Sequence, residues 1–165
     1  MAHRGDVFPY AGLAGELGRR GHDVVYVVPR EFHPGFAGEP FRCVHSGTDF
    51  SPRVLDGYGD YLARWGMRFG GALTLRLYYG TLTVPHLDEL YAAVEAEVAG
   101  ADLLVAHPAA TAIAAMACER HAVPHAVGDL FPMLVPTAEV APAGFPNLGP
   151  RGNRLLWRIG RSPRM

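Results

Sequence analysis

The sequence predicts an α/β fold in which a parallel β-sheet is flanked by helices. Segments with apolar residues at helical spacing alternate with short apolar segments, the clearest of which is the near-continuous β-branched run in HDVVYVVP (22–29). Such alternation is typical of parallel sheets, and strands that are apolar throughout are typical of burial on both faces. The chain has 165 residues, 49% of them hydrophobic, which is enough for one domain with its own core.

The first elements are predicted from the opening of the chain. Residues 3–6, with the sequence HRGD, form a loop, and the apolar spacing from Val7 to Leu17 predicts a helix that ends at Gly21. Pro9 then falls in the first turn of that helix, where proline is tolerated. The next segments predict a strand at 22–29 (HDVVYVVP), a short helix at 30–37 and a strand at 41–47 (FRCVHSG).

The rest of the chain divides into an irregular part and a regular part. From 51 to 83 glycine is frequent and aromatic residues are dense, which indicates loops and irregular helices. The regular spacing then predicts helices at 84–100 and 109–121, strands at 101–107 and 123–129, a proline-rich loop at 130–150, and the beginning of another helix at 153–160. We therefore expect one domain over residues 1–150, followed at 151–165 by the start of a segment that leads on to a further domain.

Composition excludes several functional classes. A formal net charge of −1 gives no reason to expect nucleic acid or an anionic membrane as a partner. The only two cysteines, Cys43 and Cys118, are too few for a disulfide framework and wrongly spaced for a zinc site, which favours a reducing, cytoplasmic environment. Residues 1–20 lack the pattern of a signal peptide, and the most apolar stretch, Ala101 to Ala117, is interrupted by Asp102, His107 and Pro108, so no transmembrane segment is expected.

No glycine-rich phosphate loop is predicted. The segment GLAGELG (12–18) lies inside the first predicted helix rather than in a strand–helix turn. His121 and His125 are four residues apart, but Pro124 breaks the helix that would align them as metal ligands. We therefore predict neither a cofactor-binding nor a metal-binding residue in this chain.

Ligands of parallel sheets bind where the strands end, and the loops there contain titratable residues. Asp6, in the first loop, is suited either to capping the helix after it or to acting as a general base, and His3 on the same loop is a weaker candidate for the base. His107 lies at the carboxyl end of a predicted strand, where it is expected either to line a ligand site or to be packed or cap the next helix. Both alternatives stay open for each residue.

Two stretches have the composition of a recognition surface. One is the aromatic-rich segment 51–83, which includes Tyr58 and Trp65, and the other is the strand-end loop DLFPMLVPT (129–137), with Phe131 and Met133. Apolar side chains in strand-end loops suit an apolar ligand. The alternative is that both stretches cover the core.

Taken in order, several segments resemble the N-terminal half of GT-B glycosyltransferases of the UDP-glucosyl/glucuronosyltransferase and sterol glucosyltransferase type, with bacterial natural-product enzymes most similar. The segment RGDVFPYAGLAGELGRRGHDVVYVVP looks like their opening loop, helix and second strand, and FRCVHSG is similar to their third strand. The block GADLLVAHPAATAIAAMACERHAVPHAVGDLFPMLVPTAE resembles the strand–helix–strand unit before their proline-rich loop, and FPNLGPRGNRLLWRIG resembles the segment after that loop. The resemblance covers nearly the whole chain, and segment 51–83 matches only loosely.

The resemblance implies a Rossmann-like domain that binds the acceptor and faces a second domain that binds the nucleotide sugar. It implies a metal-independent, inverting hexosyltransferase that uses a UDP- or dTDP-linked sugar and a lipophilic small-molecule acceptor, with no cofactor. The base carried over by position is Asp6, with His3 the weaker candidate. The acceptor-binding residues expected on this basis are Phe8, Pro9, Tyr58, Trp65, His107, Phe131 and Met133.

The chain departs from the family pattern at two places. No strand precedes the RGD loop, although that strand is central to the family's sheet, and no donor domain comes after residue 165. We therefore expect a truncated chain that shows no glycosyl transfer alone. One alternative is a non-catalytic remnant that binds a hydrophobic molecule or a partner; another, an unrelated nucleotide-binding domain, is disfavoured by the missing glycine motif.

Overall fold

The computed structural model describes residues 2–47, 80, 84–130, 135–142 and 145–160, and at residues 2–4 and 160 it describes the backbone. The chain divides into two compact units. The first contains Met1–Leu55 and Gly80–Gly128, and the second contains Asp56–Tyr79 and Asp129–Met165. The predicted boundary at residue 150 stays a prediction.

The first unit begins with a helix, a strand, a short helix and a second strand. These are α1 (Ala2–Arg19), β1 (Val25–Val28), a 3₁₀ helix (Arg30–Phe36) and β2 (Arg42–His45). Strands β1 and β2 pair in parallel, with Val25 opposite Arg42 and Val28 opposite His45. The predicted order of elements is confirmed here, although the helix at 30–36 is 3₁₀ rather than α.

The same pattern repeats in the second half of this unit. A 3₁₀ turn (Val84–His86) leads into α2 (Leu87–Val98), and the chain continues through β3 (Leu104–Ala106), a 3₁₀ turn (Pro108–Ala110), α3 (Thr111–His121) and β4 (His125–Val127). Strands β3 and β4 are also parallel, with Leu104 opposite His125. The α/β class and the parallel pairing predicted from the sequence are therefore confirmed.

The predicted single sheet is not seen among the described strands. The described strands form two separate two-stranded sheets, β1–β2 and β3–β4. No described strand joins the two sheets. Two tyrosine side chains make hydrogen bonds from α1 and β1 to backbone carbonyls of other segments. The Tyr26 hydroxyl on β1 donates to the carbonyl of Val7 at 2.8 Å, and the Tyr10 hydroxyl on α1 donates to the carbonyl of Gly128, just after β4. A Rossmann-like sheet stays a prediction.

Helix α1 begins earlier than predicted, so residues 3–6 form helical turns rather than a loop. Pro9 is consequently the eighth residue of the helix and not part of its first turn. A proline inside a helix leaves the carbonyl four residues earlier without its usual N–H partner. Here that carbonyl belongs to Gly5, which is exposed and accessible to water. The proline is therefore tolerated inside the helix.

Two apolar clusters cover opposite faces of β1. Val27 packs against a cluster made by α2 and α3, whose buried members are Val94, Val98, Ile113, Ala117 and Cys118. Val28 belongs to a second cluster with Ala11 and Phe36. Strand β1 is therefore covered on both faces, as its unbroken apolar sequence predicts. Strand β4 is not, because its three residues are all exposed.

Both cysteines belong to or contact these clusters as free thiols. Cys118 is buried in the first cluster, and the half-buried Cys43 packs against the second. Burial raises the pKa of each thiol above its ordinary value of 9.0.

The second unit contains α4 (Gly149–Gly160), which begins four residues earlier than predicted. The fully buried Asn153 connects this helix to the preceding loop: its Oδ1 accepts from the Leu148 amide at 3.1 Å, and its Nδ2 donates to the Ala138 carbonyl at 2.9 Å. The Trp157 indole donates to the Val140 carbonyl at 2.9 Å. A polar side chain with its partners satisfied in this way fixes the loop at the helix start.

In the part of the chain that the structure describes, no helix combines the length and the apolar character needed to cross a bilayer.

Candidate functional site

The structure brings together two residues that the sequence singled out separately, Asp6 and His107. Asp6 lies early in α1, and His107 comes directly after the last residue of β3, at the carboxyl end of a parallel strand. His107 Nε2 lies 3.8 Å from Asp6 Oδ1, and the two side chains are 31% and 30% exposed. A carboxylate and an imidazole therefore face each other where solvent has access.

His107 also caps the helical segment directly after it. Its Nδ1 accepts a hydrogen bond from the Ala109 amide at 3.1 Å, and Pro108 occupies the first helical position. The Thr111 hydroxyl donates to the Pro108 carbonyl at 2.8 Å and tightens the same turn. The capping alternative predicted for His107 is confirmed. Because capping uses only Nδ1, it leaves Nε2 directed at Asp6.

Asp6 does not have the predicted capping position. Helix α1 begins at Ala2, so Asp6 is its fifth residue and lies in its second turn. The prediction placed the helix start at Val7, because it took HRGD for a strand-end loop. Of the two alternatives weighed for Asp6, only the proton-accepting role remains a prediction.

Tyr10 completes the group, and sequence reasoning missed it. It lies one turn after Asp6 on α1, and its ring packs edge-on against His107 with 5.7 Å between ring centroids. Its hydroxyl donates to the Gly128 carbonyl and lies 3.5 Å from the Ala106 carbonyl. A Cβ at position 128 would lie 3.0 Å from the Tyr10 hydroxyl oxygen, so this close approach favours glycine there. The i, i+4 spacing of Asp6 and Tyr10 was the available signal.

Of the other predicted site residues, Phe8 is directed away from this pair. Phe8 is 47% exposed and packs edge-on against Phe36 at 5.7 Å. Successive residues of a helix are about 100° apart around its axis, so Phe8, two residues after Asp6, points roughly 200° away from it. Pro9 is exposed on the same helix. Several predicted residues lie outside the described side chains: His3, Tyr58, Trp65, Phe131 and Met133.

Two imidazoles, those of His33 and His45, lie near the carboxyl ends of β1 and β2. His33 Nε2 donates to the Val28 carbonyl at 3.2 Å, and the rings of His33 and His45 are 6.4 Å apart. The Nδ1 atom of His45 is buried without a hydrogen-bond partner. Across the described ranges, no three His, Cys, Asp or Glu side chains are grouped to hold a metal ion.

The geometry of Asp6 and His107 suits proton transfer. A partly exposed carboxylate beside an imidazole can accept a proton from a bound hydroxyl group if that group lies within hydrogen-bond reach. Comparison of the chain with protein-family models, with curated proteins and with solved structures finds no match.

Proposed function

We propose that this chain is the acceptor-binding half of an inverting glycosyltransferase that acts on lipophilic natural products. In this proposal the first unit is the Rossmann-like N-terminal domain of a GT-B enzyme, and Asp6 is its general base. The resemblance of the segments from RGDVFP to WRIG supports the family. The observation that carries the proposal is the partly exposed Asp6 carboxylate beside His107 at the end of β3.

The reaction needs one proton acceptor and one displacement. The Asp6 carboxylate takes the proton of an acceptor hydroxyl as its oxygen attacks the anomeric carbon of a UDP- or dTDP-linked hexose. The new carbon–oxygen bond forms on the face opposite the bond to the nucleoside diphosphate, which breaks as that group leaves, so the configuration inverts. A positioned general base of this kind contributes roughly 10² to 10⁴ in rate. The nucleotide sugar is bound mainly by a second, donor-binding domain.

The proposed acceptor class is a lipophilic molecule with a free hydroxyl, such as a polyketide, macrolide or sterol-like compound. The support is compositional: aromatic residues are dense over 51–83, and the sequence DLFPMLVPT (129–137), with Phe131 and Met133, follows the last predicted strand. The two free thiols fit a cytoplasmic enzyme. No cofactor or metal is part of this mechanism.

Acceptor binding and sugar transfer together test the proposal. The chain is titrated with a panel of such hydroxylated compounds by ligand-observed NMR, and it is joined at its carboxyl end to the donor half of a natural-product glycosyltransferase for transfer assays. We expect binding of at least one compound and hexose transfer to it. Asp6→Asn should lower turnover at least about 100-fold and leave acceptor and donor binding intact.

Asp102→Asn is the matched control, because Asp102 is an exposed carboxylate near the start of β3. It should leave both binding and turnover unchanged. Equal turnover of Asp6→Asn and Asp102→Asn would remove Asp6 from the mechanism. Binding of the panel without any transfer would favour the alternative, a non-catalytic domain that holds a hydrophobic small molecule.

A further inference from the structure

We infer that His107 is a positioning residue, fixed as the tautomer with its proton on Nε2, and that it directs this N–H at the Asp6 carboxylate rather than acting as the base. The catalytic roles of His107 and Asp6 rest on the proposed function, whereas the tautomer of His107 and its pairing with Asp6 do not.

Nδ1 of His107 accepts a hydrogen bond from the backbone. The Ala109 amide N–H points at this atom across 3.1 Å and donates to it. A ring nitrogen that accepts a hydrogen bond carries no proton, and a neutral imidazole has one proton to place. The neutral ring of His107 therefore carries its proton on Nε2.

The Nε2 proton of His107 has the Asp6 carboxylate opposite it. Nε2 faces Asp6 Oδ1 at 3.8 Å, with both side chains about one-third exposed. This distance exceeds a hydrogen bond, and such contacts in unliganded sites often shorten when substrate binds. A donor on Nε2 directed at Oδ1 orients the carboxylate and leaves Oδ2 available to an acceptor hydroxyl.

The reversed roles, with His107 as the base, conflict with the hydrogen bond to Nδ1. For His107 to act as the base through Nε2, its neutral ring would have to carry the proton on Nδ1. That proton would then face the Ala109 N–H, so two donors would oppose each other and the cap of the turn at Pro108–Ala110 would be lost. Asp6, which has no such constraint, is the group able to receive the proton.

The His107 ring is restrained by its neighbours on two sides. Tyr10 packs edge-on against His107, and its hydroxyl is anchored on the carbonyl of Gly128. On the other side, Pro108 restricts the adjoining backbone. The imidazole is thus held by a ring contact and a backbone hydrogen bond, which is the supporting arrangement that a positioning group requires.

The tautomer is measured directly by long-range ¹H–¹⁵N NMR on protein labelled with ¹⁵N-histidine. The His107 signals are assigned by their loss in His107→Asn, whose side chain retains an acceptor for the Ala109 amide. We expect the shift pattern of an unprotonated Nδ1 and a protonated Nε2. A protonated Nδ1, or averaging between the two tautomers, would overturn the inference.

The pairing is tested in the same spectra. Asp6→Asn should shift the Nε2 and Nε2–H signals of His107 and leave its tautomer unchanged, while Asp102→Asn should leave both signals in place. Identical His107 signals in the wild type and Asp6→Asn would show that the two side chains do not interact.

Turnover of the joined enzyme then separates the two roles of His107. His107→Gln keeps an N–H donor near the end of the side chain, and His107→Asn keeps only the cap. We expect kcat to fall at least about 10-fold more in His107→Asn than in His107→Gln, with KM little changed in both; equal losses would overturn the positioning role. Failure of the proposed function leaves the tautomer result standing, whereas a wrong tautomer together with transfer overturns this inference alone.

Discussion

At the scale of single residues, His45 is the polar side chain whose environment is least satisfied among those described. Its Nδ1 is buried without a partner, although the neighbouring His33 donates to the Val28 carbonyl. An unpaired buried polar atom costs about 1–3 kcal/mol, whereas replacing it with an apolar group of similar shape is close to neutral or stabilising. The two histidines should therefore respond differently to the same substitution.

We predict that His45→Phe leaves the free energy of unfolding unchanged or raises it by about 1 kcal/mol, because it removes a buried nitrogen that lacks a partner. His33→Phe, the matched control, should lower it by about 1 kcal/mol, because the Val28 carbonyl loses a donor. Urea denaturation followed by circular dichroism measures both. A loss in His45→Phe equal to that in His33→Phe would mean that His45 Nδ1 is satisfied in solution.

The residues of the candidate site show what sequence can and cannot predict at this scale. Asp6 and His107 were each identified from their residue type and their position near a predicted element end. Their pairing depends on how α1 packs against β3, which is a tertiary contact and leaves no local pattern. Tyr10 was missed because the helix was assumed to start at Val7, so the shared face of Asp6 and Tyr10 was not considered.

At the scale of elements, α1 contains glycines in contrasting surroundings. A Cβ at Gly18 would overlap the backbone carbonyl of Pro40, in the segment between the 3₁₀ helix and β2, while a Cβ at Gly12 would meet no atom within 4 Å. Backbone atoms cannot move aside as the end of a flexible side chain can. The helix thus needs glycine at position 18 and has no packing reason for it at position 12.

We predict that Gly18→Ala lowers the free energy of unfolding by about 1–3 kcal/mol, as expected for overpacking against backbone. Gly12→Ala in the same helix should raise it by roughly 0.5–1 kcal/mol, because alanine restricts the unfolded chain and favours the helix. Urea titration of the two variants beside the wild type gives both values. Changes of the same sign would show that α1 does not approach Pro40 this closely.

The elements that were predicted correctly have strong local signals. Helix α3 is predicted by its apolar composition, strand β1 by a β-branched run, and the end of α1 by Gly21. The division into two sheets was not predicted, because strand pairing depends on segments far apart in the chain. The exposure of strand β4 was not predicted either, because its sequence does not show whether another layer covers it.

At the scale of the whole molecule, several groups in the first unit couple stability to alkaline pH. Burial raises the pKa of Tyr26 above its ordinary value of 10.0, with Cys43 and Tyr10 adding to the effect, and the Tyr26 hydroxyl donates to the Val7 carbonyl. Burial likewise raises the pKa of Cys43 and Cys118 above 9.0. The folded chain therefore keeps protons that the unfolded chain releases at the same pH.

Because the unfolded state binds fewer protons above these ordinary values, stability is fully present below about pH 9 and falls as pH rises. We predict a urea midpoint that is unaffected by these groups between pH 7 and 8 and declines between about pH 9 and 11. Tyr26→Phe should flatten the decline above about pH 10, since it removes the group with the largest shift. A midpoint that stays constant to about pH 11, or an unchanged slope in Tyr26→Phe, would contradict this account.

The raised pKa values of the two thiols also determine how this protein can be modified chemically. Thiolates rather than thiols attack maleimides and disulfide reagents, so Cys43 and Cys118 react slowly near neutral pH. A cysteine introduced at an exposed position, such as Met116→Cys on α3, where the native side chain is 60% exposed, would react far faster. A fluorophore or spin label can therefore be attached at one chosen place while both natural cysteines remain in the protein.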